Sequence, residues 1–235
     1  MEPFLSLQNI YKGFGSKKVI KGLSLDLYEG EILGLLGRSG CGKSTLIKVL
    51  VGYYHPSSGK IIFHGKEITK DYNEVRQIVG YTTQDNSFYE KLTVLENMKY
   101  YANLYNVPRK DRKKRISELL EAVKLDIAKD TLAGSISGGM KRRLDFALSL
   151  LHRPKLVILD EPTTGLDPVL VEKFWDIVTE VAKKEKITVL VSSHHLSEIK
   201  TYCTKAAIMA DGQIKSVIRL KKNMRLDSQF KKLTK

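Results

Sequence analysis

The sequence predicts an α/β protein with a mostly parallel core sheet, an N-terminal antiparallel β subdomain and an inserted α-helical subdomain. Three observations point there. A continuous apolar run, Glu31 to Gly37 (EILGLLG), ends in glycine and is followed by the helix-forming KSTLIKVLVG, as when a buried strand feeds a helix. From Lys155 onward, strand-like and helical segments alternate, the order that builds a parallel sheet with helices on its faces. Between about Leu92 and Leu151 the apolar spacing is helical almost throughout.

Taken in order, FLSLQNI and LSLDLY alternate apolar and polar residues and are broken by GFGSKK and EG, as antiparallel strands wetted on one face would be. After HPSSGK, KIIFHGKEI reads as a short sheet segment turning at His64 and Gly65. Another apolar segment, QIVGYT, leads to Gln84. The helical lobe, placed at residues 88–151, holds TVLENMKYYANLY, then a helix with Pro108 at its first position that includes RISELLEAVKL, and a last helix after SISGG. Beyond it come strand KLVILD, helix VLVEKFWDIVTEVAKK, strand ITVLVSS, helix HLSEIKTYC and strand KAAIMA. The expected domain covers residues 4–216, and the basic tail, 217–235, is too weakly periodic to predict an element.

At 235 residues the chain can bury a proper core, and its 42% hydrophobic and 28% charged residues exclude wholesale disorder and fibrous architectures. The net charge of +14 favours an acidic partner, whether nucleic acid, nucleotide or an anionic membrane surface. Much of it gathers in PRKDRKKR (108–115) and in the tail. MEPFLSLQNI has an early acid and no long apolar run, so no secretory signal is expected. The apolar runs elsewhere are strand-sized, below the roughly 20 residues of a spanning helix, which predicts a chain outside the bilayer. Cys41 and Cys203 are too few and too far apart for a disulfide scaffold or a zinc site, which suits a reducing cytosol.

GRSGCGKST, comprising Gly37, Arg38, Ser39, Gly40, Cys41, Gly42, Lys43, Ser44 and Thr45, has the spacing G-x-x-x-x-G-K-[ST] between a predicted strand and a predicted helix. Glycines let backbone N–H groups curl round a β-phosphate, Lys43 brings a charge to the β and γ oxygens, and the Ser44 hydroxyl can ligate Mg²⁺. The helix dipole and Lys43 are expected to lower the Cys41 thiol pKa and make it reactive; the alternative is a small inert filler. KLVILDEP places Asp160 and Glu161 at the C-terminal end of a strand, where open α/β sheets bind ligands. Asp160 is expected to hold Mg²⁺ and Glu161 to polarise the attacking water. His194, first past the strand ITVLVSS, is placed to contact a γ-phosphate or orient Glu161. Gln84 can offer an amide oxygen to Mg²⁺ or to the lytic water. A second anion-holding pattern, Ser137, Gly138 and Gly139, opens the helix in ISGGMKRR.

In order and spacing, GRSGCGKST, Gln84, SISGGMKRR, LVILDEP, TGLDP and SSH resemble the nucleotide-binding domains of ABC transporters, from about Phe4 to Ser216. SGGMKRRLDFALSLLHRPKLVILDEPTTGLDP is closest in style to the ATP-binding subunits of multidrug and sodium exporters that pair with separate membrane subunits. The resemblance implies an ATPase that binds ATP and Mg²⁺ and closes as a head-to-tail homodimer, or with a similar ATPase. Ser137, Gly138 and Gly139 of one copy would then hold the γ-phosphate bound to Lys43 of the other, with Asp167 at the dimer interface. It also implies transmembrane permease subunits as partners, whose coupling helix meets the region from Gln84 through the helical lobe, and a peripheral site on the cytoplasmic face of the cell membrane. Two departures stand out. Ile136 and Met140 flank the signature where leucine and glutamine are usual, and the aromatic residue that stacks on adenine is Phe14, with Tyr11 as the alternative. Chromosome-structural and repair ATPases share these motifs and define the alternative, a nucleic-acid-associated ATPase, but they insert a long coiled coil, and no heptad run separates Thr45 from Ser137.

Overall fold

A computed structural model describes residues 2–69, 72–221 and 226–234. The chain divides into two compact units, residues 1–76 with 188–235, and residues 77–187.

In the first unit, β1 (Leu5–Phe14) and β2 (Lys17–Leu27) pair antiparallel, with Leu5 opposite Leu27 and Phe14 opposite Lys17. Both strands run into the GFGSKK segment, leaving only Gly15 and Ser16 as the turn. Strands β4 (Ser58–Phe63) and β5 (Lys66–Glu67) complete this sheet in the order β2-β1-β4-β5, with His64 and Gly65 at the expected turn. Its apolar alternation buries Leu5, Leu7, Ile10, Ile20, Leu23, Leu25, Leu27, Ile61 and Phe63.

The same unit holds β3 (Ile32–Leu36), α1 (Lys43–Leu50), β8 (Thr188–Ser193), α7 (Leu196–Tyr202), β9 (Lys205–Ala210) and β10 (Gln213–Arg219). Here β3 lies parallel to both β8 and β9, and β10 pairs antiparallel with β9. Strand β3 is buried along almost its whole length, and the continuous run of ILGLL is the signature of a strand covered on both faces. At Gly34 an added Cβ would fall 2.6 Å from Ile199 Cδ1, so the absent side chain lets α7 close on the strand. Strand β10 continues past Ser216 to Arg219. Of the basic tail, residues 222–225 and 235 lie outside the described residues, while Leu226–Leu233 form α8.

The second unit contains the parallel pair β6 (Val79–Thr82) and β7 (Leu156–Asp160), with α3 (Val94–Leu104), α4 (Arg109–Ala122), α5 (Gly138–Ser149) and α6 (Pro168–Glu185). The six-residue α2 (Asn73–Ile78) precedes β6. Helix α3 begins with a capping box, in which Thr93 accepts from Glu96 N and Glu96 accepts from Thr93 N. Pro108 is the N-cap of α4 rather than its first helical residue; its ψ of 133° is extended, so the helix begins at Arg109. Helix α6 starts on an Asp167 cap with Pro168 at the first helical position, where its missing N–H costs nothing. Trp175, Phe174 and Phe146 are buried at the centre of this unit.

Candidate nucleotide site

Two groups of predicted residues are brought together within the first unit. Parallel pairing sets Leu36 opposite Ser193, so Gly37 and His194 emerge side by side, and Gly37 N donates to Ser193 O at 3.4 Å. The loop from Gly37 to Gly42 then turns into α1, with Gly42 at φ 110° as its N-cap, a backbone that an L side chain resists. Gly37 is required for another reason: a Cβ there would fall 2.6 Å from Met209 O. The β9–β10 turn buttresses the loop, because Gly212 N donates to Cys41 O at 3.2 Å.

Lys43 is buried, and its Nζ donates to Gly37 O at 2.9 Å and Arg38 O at 3.3 Å. The ammonium is therefore held inside the loop, among the first N–H groups of α1, where a phosphate oxygen can replace a carbonyl. Beside the loop lies a cavity of about 400 Å³ lined by Arg38, Ser39, Gly40 and Cys41, and by Lys17, Lys18 and Val19 of β2. Phe14 sits opposite Lys17 at the end of the hairpin, its ring 5.0 Å from Tyr54 and 5.2 Å from Lys12 Nζ. Phe14 and Tyr11 are about equally exposed, at 43% and 44%, and each lies opposite a lysine that lines the cavity, Lys17 and Lys21, so neither exposure nor place along the strand separates them.

The Cys41 thiol reverses an expectation. Burial raises its pKa above the ordinary value, outweighing the Lys43 charge and the backbone N–H groups that lower it. A thiol less ionised than a free cysteine is a poor nucleophile at neutral pH.

In the second unit, β6 and β7 run in register with Thr82 opposite Leu159, so Gln84 and the Asp160–Glu161 pair leave the same end. Asp160 is buried at the end of β7. Its charge, together with burial, pushes the Tyr81 hydroxyl up to about 12, burial being the larger cause. Glu161 adopts a left-handed backbone at φ 49°, a conformation that costs about 1 kcal/mol for a residue with a Cβ, and strain of this kind collects at working sites. The Thr164 hydroxyl donates to Glu161 Oε2 at 3.4 Å.

Ser137 is the N-cap of α5, its Oγ accepting from Met140 N at 3.4 Å, and both Ser137 and Gly138 are exposed. Gly139 faces α6, where a Cβ would approach Leu170 Cδ2 to 3.0 Å. Asp167 Oδ1 caps α6 by accepting from Leu170 N at 2.9 Å. The signature serine and Asp167 thus begin two neighbouring helices.

Several residues that fix this site were not found from the sequence. Asp145 Oδ1 accepts from Ser87 N at 3.0 Å and Ser87 Oγ at 2.7 Å, tying α5 to the segment after Gln84. Burial raises the Asp145 pKa, against the lowering effect of the two Ser87 bonds. Arg142 reaches Thr83 O at 3.5 Å, and the Tyr101 hydroxyl donates to Ser87 O. Asn97 bonds Tyr89 through both its backbone groups, accepting from N at 2.8 Å and donating to O at 2.9 Å. Only the T-x-x-E pattern starting α3 would have hinted at this corner, by fixing where the helix carrying Asn97 and Tyr101 begins.

This combination of fold and loop defines a phosphate-loop nucleoside triphosphatase. Residues 20–164 match the ABC transporter family model. The chain is 39% identical over 219 residues to the uncharacterized ABC transporter ATP-binding protein YdbJ of Bacillus subtilis, covering 93% of this chain and 70% of that one. It is 36% identical to the bacitracin transport ATP-binding protein BcrA of Bacillus licheniformis (98% and 75% covered). Identity is again 36% to the linearmycin resistance ATP-binding protein LnrL of Bacillus subtilis (89% and 67%). Among solved structures, cbiO1 of Clostridium perfringens superposes with a TM-score of 0.86 at 29% identity, covering 93% of this chain and 89% of that one. The chain belongs to the ABC transporter family: it is an ATP-binding protein of that family, and an ATPase.

Proposed function

We propose that this chain powers export of a substrate through separate transmembrane permease subunits. Two copies, or one copy and a similar ATPase, close head to tail on two Mg-ATP at the cytoplasmic face of the membrane. The observation that carries the reading is the exposed start of α5. Ser137 and Gly138 present a helix N-terminus at the protein surface, on a different unit from the one that holds Lys43. The names of BcrA and LnrL, a bacitracin transport protein and a linearmycin resistance protein, support export.

In this reading Gly37, Arg38, Ser39, Gly40, Cys41, Gly42, Lys43, Ser44 and Thr45 take the phosphates and Phe14 stacks on adenine. Ser137, Gly138 and Gly139 complete the cage from the other copy, with Asp167 beside them. The Ser44 hydroxyl, the Gln84 amide oxygen and the buried Asp160 carboxylate are each hard oxygen donors of the kind that Mg²⁺ accepts in small number, and they would hold that ion. Bound there, Mg²⁺ supplies charge neutralisation for the terminal phosphates. Glu161 takes a proton from the attacking water, His194 and Gln84 fix that water and the γ-phosphate, and Lys43 steadies the charge that develops.

Glu161→Gln tests this. With Mg-ATP it is expected to elute from size exclusion as a stable dimer, with turnover lowered by about 10² to 10⁴. Ordinary turnover from a species that stays monomeric would overturn both the role of Glu161 and the dimer.

A further inference from the structure

Tyr53 and Tyr54 follow the last turn of α1, the helix that opens with Lys43, and their backbone N–H groups both donate to Lys48 O, at 2.9 and 3.0 Å. The segment after them is laid against β1, where Ser57 N donates to Tyr11 O at 2.7 Å. The far end of the phosphate-loop helix therefore meets the strand that carries Phe14.

Lys12 stands at that junction. It lies two residues before Phe14 on β1, so the two side chains share a face of the strand. Its ammonium donates to His55 O at 2.8 Å, and it sits 5.2 Å from the centre of the Phe14 ring and 5.3 Å from that of Tyr54. The two rings meet edge to face, 5.0 Å apart at 70°, an arrangement that aromatic pairs favour. Tyr53 extends the row, 4.9 Å from Tyr54, with Lys48 Nζ 5.8 Å from its ring. One cation is thus shared by rings from two elements and pinned by a carbonyl, whereas a surface lysine ordinarily keeps its rotamer freedom. Tyr11 is engaged elsewhere: its hydroxyl crosses to β2, where a Cβ at Gly22 would fall 2.7 Å from Tyr11 Oη.

We propose that Lys12 is a positioning residue for the nucleobase: it locks Phe14 against Tyr54, so that a purine meets a ring already set at a fixed place relative to the phosphate loop. The inference rests on the reading that Phe14 stacks on adenine, and it adds the group that holds the stacking ring. An exposed aromatic side chain at a hairpin tip would otherwise have to be ordered by the nucleotide itself, which weakens binding. Lys12 acts through Phe14 and needs no contact with the nucleotide. Its effect belongs to the base alone, because Lys43 is held separately, by Gly37 O and Arg38 O.

Calorimetric titration of the intact protein with ADP and with inorganic tripolyphosphate separates base from phosphate contacts. Lys12→Met keeps the stem and removes the charge; it is expected to weaken ADP about tenfold while leaving tripolyphosphate within about twofold, which also reports an intact phosphate loop. Lys12→Arg keeps a cation that can lie over a ring and is expected to restore ADP binding to within about twofold. In a Phe14→Ala background, itself weakened for ADP, Lys12→Met is expected to add nothing, as for two residues acting as one. The proposal is overturned if Lys12→Met binds ADP as tightly as the unaltered protein, if it loses tripolyphosphate in the same proportion, if Lys12→Arg fails to restore binding, or if the two losses add. Should Phe14→Ala bind ADP normally, the stacking role of Phe14 fails and Lys12 falls with it; a loss in Phe14→Ala without one in Lys12→Met sinks the role of Lys12 alone.

Discussion

His152 shows how one buried ring can set the acid limit of the fold. Its Nε2–H donates to Val79 O at 3.1 Å, the Tyr105 ring lies 4.5 Å away, and Nδ1 is buried with no hydrogen-bond partner among the described residues. A second proton would have to sit on that unpartnered nitrogen, so burial lowers the His152 pKa, and the Arg115 charge lowers it further. As pH falls through the ordinary histidine range the unfolded chain takes up a proton that the folded one refuses; stability is present above that range and lost below it. His152→Gln should therefore show a shallower loss of urea resistance between about pH 7 and pH 5.5 than the unaltered protein. At this scale spacing located the candidates: Lys43 opens α1 and Asp160 ends β7, as the motifs placed them. It was silent at Asp145 and Asn97, polar residues on helices whose roles depend on what packs opposite. At Cys41 it misled, because the dipole and Lys43 can be read from order along the chain whereas burial cannot.

Among the elements, α4 depends most on one polar contact. Arg115 is buried, forming a two-pronged pair with Glu185 at the end of α6 and donating to Leu150 O at 2.6 Å. Glu185 keeps about a quarter of its side-chain surface in water, so the pair is only partly desolvated. Arg115→Met should destabilise the protein by about 2 to 4 kcal/mol in urea unfolding, and adding Glu185→Leu should restore much of it, since apolar replacement of both partners avoids a stranded charge. A repeat of the same loss in the double variant would show that packing of the arginine stem dominates. Long periodic elements such as α6 and continuous apolar strands such as β3 and β7 were readable to within a residue or so. Strand β10 was not, because IKSVIR lies in a basic segment at a sheet edge where alternation is weak. Helix α2 is too short to show a period.

For the whole molecule, the net charge of +14 is the feature that most invited another reading. Its basic run 108–115 is now placed: Arg109, Arg112 and Lys113 line a groove between α3 and α4, while Arg115 points inward to Glu185. Positive charge spread over a protein surface binds nucleic acid weakly and loses that binding steeply with salt. Adding RNA or DNA at about 150 mM salt should leave the ATP turnover unchanged, as followed by phosphate release. Stimulation that survives that ionic strength would return the nucleic-acid alternative to consideration.

The bonds from Asp145 to Ser87 and from Arg142 to Thr83 have a mechanical meaning. They bracket Gln84 on both sides with groups carried by the same helix that Ser137 begins. These bonds give the glutamine segment a direct route to the helix, so a pull on that segment from outside is expected to be felt by the hydroxyl at the helix tip.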